Sequence, residues 1–426
     1  MTPKPFLYIL AALLASPAFA GVHYSGDARN ELPAEWAGFL RDQRALRLAA
    51  DPKNAGFDAF VPLRDTAVDA LVKLEQLKKT RELTADELAD LGALHLRLGQ
   101  PEKAVGVLRP AHRRYPEHFP IAANLGSAWQ QSGDLAETTA ALEEAVRLAP
   151  KAFQAVEALH LKLVRGRAKE KKNATSLDDL FGVGYTGDPG TMAENEKAKL
   201  PANALALVQE LALVLPFDAR LLWQLAELAN AHGDVRTAAN LLDGAVVELG
   251  LQADEARKRR ARYRAAADEL AKKKDHAVHK GTLKFASSRV FKTLIDETKL
   301  PKVDPKGTNP LPWSALAETT LTKKFEPKFL KYIGDLDGLT VAFTGFLRPT
   351  HNGDGLTEFL ITESPIGCWF CESPGATQVI WVELANGRTI DFTRAPIQVT
   401  GKLELNRSDA ESHLYRVTGA TVKRVE

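Results

Sequence analysis

Two neighbouring stretches decide the fold of the first part of the chain: residues 87–116, ELADLGALHLRLGQPEKAVGVLRPAHRRYP, and residues 119–150, FPIAANLGSAWQQSGDLAETTAALEEAVRLAP. When the two are aligned, the same features recur with a shift of 34 residues. The recurring positions are Leu91-Gly92 and Leu125-Gly126, Gly99 and Gly133, Leu108 and Leu142, Ala111 and Ala145, and Pro116 and Pro150. A fixed period of this length predicts stacked two-helix units, in which each helix pair is joined by a turn containing glycine.

Further copies of the unit follow along the chain. One occupies residues 220–250, with matching positions at Leu225-Ala226, Gly233, Ala238, Leu242 and Ala245. Another is split: Val156 and Leu159 suit a first helix, whereas a second helix is suggested only by Ala204, Val208, Leu211 and Pro216. The 34-residue period would place the alanine of this second helix at position 172, but the matching alanine is Ala204. The pattern therefore predicts four repeats within residues 81–280, one of them interrupted by an insertion at about 168–200.

The small residues, the turn glycine and the closing proline of each copy resemble the tetratricopeptide repeat. This resemblance implies an α-solenoid whose first helices line a concave groove for a protein or peptide partner. The groove residues predicted in this way are Ala89, Ala93, Arg97, Ala123, Ser127, Gln130, Gln131, Arg220, Trp223, Glu227 and Asn230. The alternative is that these residues contact the other domain of the same chain.

Two segments of this region resemble features of nucleotide-binding or nucleic-acid-binding proteins, but their sequence context favours another interpretation. Residues 182–187, GVGYTG, match a dinucleotide-binding fingerprint, but Asp188-Pro189-Gly190 follows where that fingerprint requires a helix. We therefore predict a surface loop. The basic, alanine-rich stretch 252–275, QADEARKRRARYRAAADELAKKKD, predicts a helix that caps the end of the solenoid, with contact to nucleic acid or anionic lipid as the alternative.

The first twenty residues, MTPKPFLYILAALLASPAFA, have the three parts of an export signal. A lysine precedes an apolar run, and Ala18-Phe19-Ala20 fits a cleavage site. We therefore predict a signal at 1–20, a mature chain that starts near Gly21, and a periplasmic or secreted location. Residues 21–80 form a predicted N-terminal helical segment. No other stretch has the roughly 20 apolar residues of a membrane-spanning helix.

The periodicity changes from helical to alternating near the C-terminal end. Residues 281–336 contain the run KLPKVDPKGTNPLP and are interpreted as a linker or strap. Residues 337–426 contain five or six short β-branched segments, which predict a small antiparallel β-barrel. Gly345 and Gly401 interrupt two of these strands, where a bulge or a barrel corner is expected. The predicted fold is thus multidomain α + β: an α-solenoid of tetratricopeptide-like helix pairs followed by the barrel.

Residues 312–426 also resemble a family of exported bacterial barrel domains catalogued as a domain of unknown function. The residues that carry this resemblance are Asp337-Gly338, Gly345-Phe346, Pro349, Cys368 and Val399-x-Gly401. It implies a barrel similar to the oligonucleotide/oligosaccharide-binding (OB) fold. From Asp337 onward the chain has eight Lys plus Arg against eleven Asp plus Glu. Because binding to phosphates depends on positive charge, we expect no nucleic-acid partner.

Both cysteines of the chain, Cys368 and Cys371, lie in one Cys-x-x-Cys motif of the barrel region. Three interpretations stay open: a structural disulfide or buried thiol pair, half of a metal site, or a redox centre. A metal site, with zinc as the cofactor, needs further ligands, for which His351 and His413 are the histidines of this region.

The sequence contains no zinc-protease, nucleophile-elbow or phosphate-loop motif, which argues against an enzyme. The predicted function is that of an exported scaffold or interaction protein that binds a protein or peptide through the repeat groove. The alternative is an envelope metal-binding or thiol-redox protein that uses Cys368 and Cys371.

Overall fold

The computed structural model describes residues 22–27, 36–51, 62–170, 177–272, 295, 297–322, 326–350, 354–363, 376–393, 395–409 and 411–425. Over these residues an array of α-helices precedes a small β-barrel. The predicted fold class is therefore confirmed. In the described part of the chain no helix combines the length and the apolar character needed to cross a membrane.

The helical array contains these described helices: α1 Trp36–Ala50, α2 Pro62–Thr80, α3 Ala85–Arg97, α4 Pro101–Arg114, α5 Phe119–Gln131, α6 Leu135–Leu148, α7 Gln154–Arg167, α8 Glu194–Lys197, α9 Ala204–Val214, α10 Ala219–Ala231, α11 Val235–Asp243 and α12 Asp254–Lys272. The predicted repeats are the pairs α3–α4, α5–α6, α7–α9 and α10–α11. The insertion lies between α7 and α9 and contains only the short helix α8 among its described residues.

Each repeat depends on a close contact between its two helices. The side chain of Leu142 on α6 lies over Gly126 on α5, where an added Cβ would stand 2.6 Å from Leu142 Cδ2. Leu108 lies over Gly92 in the same way one repeat earlier. Between the helices Gly133 has φ +86°, a left-handed conformation that glycine adopts without a steric penalty. The recurring glycines thus have two separate tasks, one in the helix contact and one in the turn.

Helix α12 closes the array, as predicted for a cap. Tyr263 is fully buried, and Ala256 is buried on the same helix. Both belong to the apolar cluster that α10 and α11 also line. On the flank of α12, Arg260 donates from Nε to Asp243 Oδ1 over 2.7 Å, and Arg264 pairs with the other oxygen of Asp243. These two basic residues of α12 are therefore used to fix the helix to α11.

The second domain contains β1 Asn309–Pro310, α13 Trp313–Ala317, β2 Thr320–Leu321, β3 Pro327–Lys328, α14 Lys331–Asp335, β4 Thr340–Pro349, β5 Glu358–Thr362, β6 Val379–Leu384, β7 Ile397–Leu405 and β8 Tyr415–Arg424. Five strands close a barrel in the order β4-β5-β6-β8-β7 and back to β4. The neighbours are antiparallel except β6 and β8, which are parallel. The closed five-stranded barrel agrees with the expected OB-like class.

Gly345 and Gly401 mark the two irregularities expected of the barrel. Strand β4 pairs with β7 up to Gly345 and with β5 from Phe346 onward, so Gly345 is the corner at which the strand changes partner. The pairing of β7 with β8 shifts register between Thr400 and Lys402, which places a bulge at Gly401. A Cβ on Gly401 would stand 2.7 Å from Val417. Both positions are confirmed.

The boundary of the barrel domain differs from the prediction. Strand β1 pairs with β4, and Trp313 donates from Nε1 to the carbonyl of Thr344 over 2.7 Å. Leu300, Leu311 and Tyr332 belong to the same apolar cluster as the barrel strands. The described part of the predicted strap 281–336 is therefore largely built into the barrel domain, because its apolar residues pack in the same core as the barrel strands.

We expect Gly126→Ala to lower the free energy of unfolding of the helical array by about 1–3 kcal/mol, because the new methyl group overlaps Leu142 in a packed core. The matched control is Gly106→Ala on α4, where an added Cβ meets nothing within 4 Å. This control should raise the free energy of unfolding by about 0.5–1 kcal/mol, because alanine has less conformational freedom than glycine to lose when the chain folds. Urea unfolding followed by circular dichroism at 222 nm measures both changes. Equal effects of the two substitutions would contradict the assigned helix contact.

Candidate partner-binding face of the helical array

The predicted groove residues lie on α3, α5 and α10, and most of them are buried. Those described as exposed or partly exposed are Gln130, Gln131 and Arg220. Three other parts of the chain lie against this face: residues 22–27, helix α1 and the insertion. All three belong to the helical region, so these contacts differ from the alternative considered above, which was contact with the other domain. Binding of a separate partner through them stays a prediction.

The first of the covering parts is the segment 22–27, which is held by Asn124 of α5. The backbone N–H of His23 donates to Asn124 Oδ1 over 2.8 Å, and Asn124 Nδ2 donates to the carbonyl of His23 over 2.8 Å. The His23 ring packs edge-on against Phe119 and Phe153, with ring centroids 4.6 and 5.1 Å away. Its Nε2 lies 3.2 Å from Glu157 of α7. The segment is therefore bound to two successive repeats.

The other end of the segment contacts α3. Arg97 makes two parallel hydrogen bonds to the carboxylate of Asp27, at 2.8 and 2.5 Å, and its guanidinium lies 5.1 Å from the centre of the Tyr24 ring. The hydroxyl of Ser25 donates to Asp90, and so does the Ser25 backbone N–H, over 2.8 Å. Two-pronged pairs of arginine with carboxylate fix orientation as well as distance. Arg97 is thus paired within the chain.

Helix α1 packs against α2, α3 and α9. Phe39, Leu46 and Ala49 are buried in the cluster that contains Leu211 of α9 and Leu221 of α10. Arg47 of α1 pairs with Glu248 at the far end of the array. Helix α1 therefore lies against the later repeats, although it precedes all of them in sequence.

The insertion covers the last repeat. Asn230 of α10 accepts from the Gly190 backbone N–H over 2.7 Å and donates to the carbonyl of Asp188 over 2.9 Å. The Tyr185 ring packs edge-on against Trp223, with centroids 6.0 Å apart. The prediction of a surface loop at GVGYTG is therefore only partly correct, because the tyrosine of this segment packs against α10. The structure gives no helix directly after it, in agreement with the rejection of a dinucleotide site.

A charged cluster joins the insertion, α7 and α10. Arg167 pairs with Asp178 and Asp218, and Arg220 pairs with Glu170 and Asp178. The predicted groove residue Arg220 is thereby paired with two carboxylates in the first part of the insertion. Burial raises the pKa of Asp178, although both arginines act in the opposite direction.

Glu227 of α10 is fully buried beneath α12. Its carboxylate accepts from Arg259 over 2.5 Å and from the Tyr263 hydroxyl over 3.1 Å. Burial raises the pKa of Glu227 to about 7, and the Arg259 guanidinium opposes this shift. Arg259 also donates to the carbonyl of Tyr185. A predicted groove residue thus anchors the capping helix and the insertion together.

A cavity of about 560 Å³ remains on this side of the array. Its wall combines the end of α1, the turns α3–α4, α5–α6 and α9–α10, and Val22. Among its residues are Leu46, Leu96, Gln130, Gln131, Leu135, Leu215 and Phe217. The polar groups include Arg97, Arg167 and Asp218, which are in ion pairs. Most of the wall is therefore apolar, with charged groups at a few points.

The proposed metal or thiol site can be followed only in part. Cys368, Cys371 and His351 lie outside the described residues. The His413 ring packs against Trp381 with centroids 4.9 Å apart, and burial, with a smaller effect of Arg416, lowers its pKa. Among the residues that the structure describes, no group of three or more His, Cys, Asp or Glu could hold a metal ion. The interpretations of the cysteine pair stay open.

The chain combines an array of tetratricopeptide-like helix pairs with a C-terminal barrel of a known domain family. Residues 317–424 match the family described as "Protein of unknown function (DUF3299)", so the barrel is a DUF3299 domain. The predicted resemblance is confirmed. No curated protein matches the chain.

Three similar solved structures cover the two parts of the chain. A DUF3299 family protein from Pseudomonas aeruginosa is 21% identical, and the match covers 28% of this chain and 97% of that chain, with a TM-score of 0.23. A thermophilic TPR protein from Thermus thermophilus is 22% identical over 53% of this chain and 98% of that chain, with a TM-score of 0.23. A tetratricopeptide repeat protein from Parabacteroides merdae is 13% identical over 53% of this chain and 85% of that chain, with a TM-score of 0.27.

We expect the stability of the helical array to depend on pH through Glu227. Because its pKa rises from 4.5 to about 7 on folding, its contribution to stability is complete below pH 4.5 and is lost as the pH rises to 7. The slope in that window is at most about 1.4 kcal/mol per pH unit. Glu227→Gln, which does not titrate, should flatten it.

Urea unfolding at several pH values between 4.5 and 8 measures this slope for the wild type and the variant. Glu255→Gln is the matched control, because Glu255 also pairs with Arg259 but is exposed. An unchanged slope in Glu227→Gln would assign the pH dependence to other groups.

Proposed function

We propose that the protein is an exported scaffold that binds a protein partner through the helical array. The observation that carries the proposal is the cavity of about 560 Å³, which combines residues from successive repeats with the end of α1. Cavities of this size and mainly apolar character, with a few polar groups, are typical of binding sites. Since described parts of the chain itself cover much of the rest of the inner face, the cavity gives a partner direct access without displacing any of them.

The rim of the cavity favours a protein partner. Phe217, in the α9–α10 turn, is 49% exposed and lies among the apolar residues of that turn. Gln131, at the end of α5, is also exposed and lines the same cavity. A large exposed aromatic side chain next to an apolar cavity suits a partner that inserts one apolar side chain and contacts the rim around it. Concave surfaces of helical solenoids are generally used in this way.

Site-specific crosslinking tests this proposal. With p-benzoylphenylalanine at position 217 or at position 131, irradiation of cells should give a discrete crosslinked product that contains a second protein. Position 103 is the matched control, since Lys103 is exposed on α4 outside the cavity. In the background of Leu135→Asp, which puts a charge on the cavity wall, the product should decrease about tenfold or more. No discrete product at either position, or the same product from position 103, would contradict the proposal.

The export part of the proposal is supported by the N-terminal sequence. The pattern at residues 1–20 is that of a cleaved signal, with Ala18 and Ala20 at the cleavage site. We expect the intact mass of the protein from an envelope or secreted fraction to be that of a chain starting at Gly21. Ala18→Phe should block cleavage and leave the full-length mass, whereas Ala12→Val in the apolar run should not. A full-length mass for the wild type would contradict export by cleavage.

A further inference from the structure

We propose that residues 22–27 occupy a peptide site within their own chain, and that a partner protein binds there by displacing them with a segment of the same chemistry. The inference builds on the proposed scaffold function and adds the class of the partner segment. That segment has a histidine or aromatic side chain first, an aromatic residue next to it and an aspartate or glutamate four positions after the first, which it brings into place through a turn like the one that the Asp27 N–H closes by donating to the Tyr24 carbonyl over 3.2 Å. Each requirement follows from a contact of the resident segment.

The backbone requirement comes from Asn124. Its side-chain amide forms one hydrogen bond to the N–H and one to the carbonyl of the same residue, His23, each 2.8 Å long. Asn124 is fully buried, and its Nδ2 also lies 3.2 Å from the carbonyl of Ala89 on α3. The amide is thus fixed in place by the repeats. It binds the N–H and the carbonyl of a single residue, backbone groups that do not depend on the side chain of that residue.

The requirement for a ring comes from the pocket around His23. Phe119 and Phe153 contact the ring with their own rings, and Glu157 faces its Nε2 at 3.2 Å. Phe119 and Phe153 are themselves close, with centroids 5.4 Å apart. An aromatic wall with one carboxylate at its edge accepts a flat side chain that carries an N–H or O–H donor.

The requirement for an acidic residue comes from Arg97, which binds both oxygens of Asp27 and also lies over the Tyr24 ring. The side chains of Arg97 and Asp27 are 3% and 6% exposed. Removing one partner of a buried ion pair is strongly destabilising, because the other charge stays buried without a counter-charge. A partner segment that displaces 22–27 must therefore supply a carboxylate at this position.

The resident segment is held by hydrogen bonds from side chains of the repeats. Ser25 and Gly26 in its middle are exposed. No backbone pairing with a strand is described for residues 22–27. Residues 28–35 tether it to α1, so its local concentration at the site is on the order of millimolar. The same segment of a second copy has identical contacts without this tether. A different protein with stronger contacts is therefore the favoured occupant.

The probe for this site is a fluorescent peptide with the sequence of residues 21–28, GVHYSGDA. It is titrated, with anisotropy as the readout, into the full mature chain and into the double variant His23→Ala, Asp27→Ala. The double variant keeps the receptor residues and weakens the resident segment. We expect the peptide to bind this variant at least about tenfold more tightly than the wild type. Adding Arg97→Gln to the double variant should reduce the affinity about tenfold or more.

Circular dichroism and thermal unfolding check that each protein is folded, and Asp27→Asn alone replaces the double variant if that protein unfolds. A peptide with the same composition in scrambled order is the specificity control. Equal weak binding of both peptides to a folded variant would overturn the proposal. Concentration-dependent dimers of the wild type that the peptide dissociates would also overturn it, in favour of exchange between copies. The crosslinks at Phe217 report on the cavity separately, so that result stands or fails independently of this one.

Discussion

The curvature of the helical array depends on how closely the two helices of each repeat approach each other. Gly92 and Gly126 permit this approach, because Leu108 and Leu142 fill the space that a Cβ would take. The turn glycines Gly99 and Gly133 then reverse the chain in a left-handed conformation. Stacking such units gives one inner face made of first helices. The covered face, the cavity and the capping helix all follow from this arrangement.

An inner face of this kind presents polar groups that must find partners once they are buried. Asn124 of α5 and Asn230 of α10 solve this by binding the backbone of other parts of the chain. Glu227 binds Arg259 and Tyr263 from the capping helix. The buried amides and carboxylates of the first helices therefore act mainly as attachment points for the chain's own segments.

Much of this fold could be predicted from the sequence, because its signals are local. The 34-residue period, the turn glycines and the barrel irregularities at Gly345 and Gly401 are all visible within short windows. The contacts that cover the inner face are not local: His23 and Asn124 are 101 residues apart, and Arg97 and Asp27 are 70 apart. Asn124 carries no signal beyond its place next to Leu125-Gly126. The prediction therefore found the face, with Arg97 and Asn230 on it, but not the segments that occupy it. The start of the barrel was placed too late because a proline-rich run also resembles a linker.

The capping helix limits how the molecule can assemble. Solenoids with a bare last repeat can stack end to end, since the exposed apolar face of one molecule matches the first repeat of the next. Here α12 buries Tyr263 in that face, and Arg260 and Arg264 pair with Asp243 at its flank. The length of the array is thereby set within a single chain, because α12 occupies the face on which a further repeat would stack.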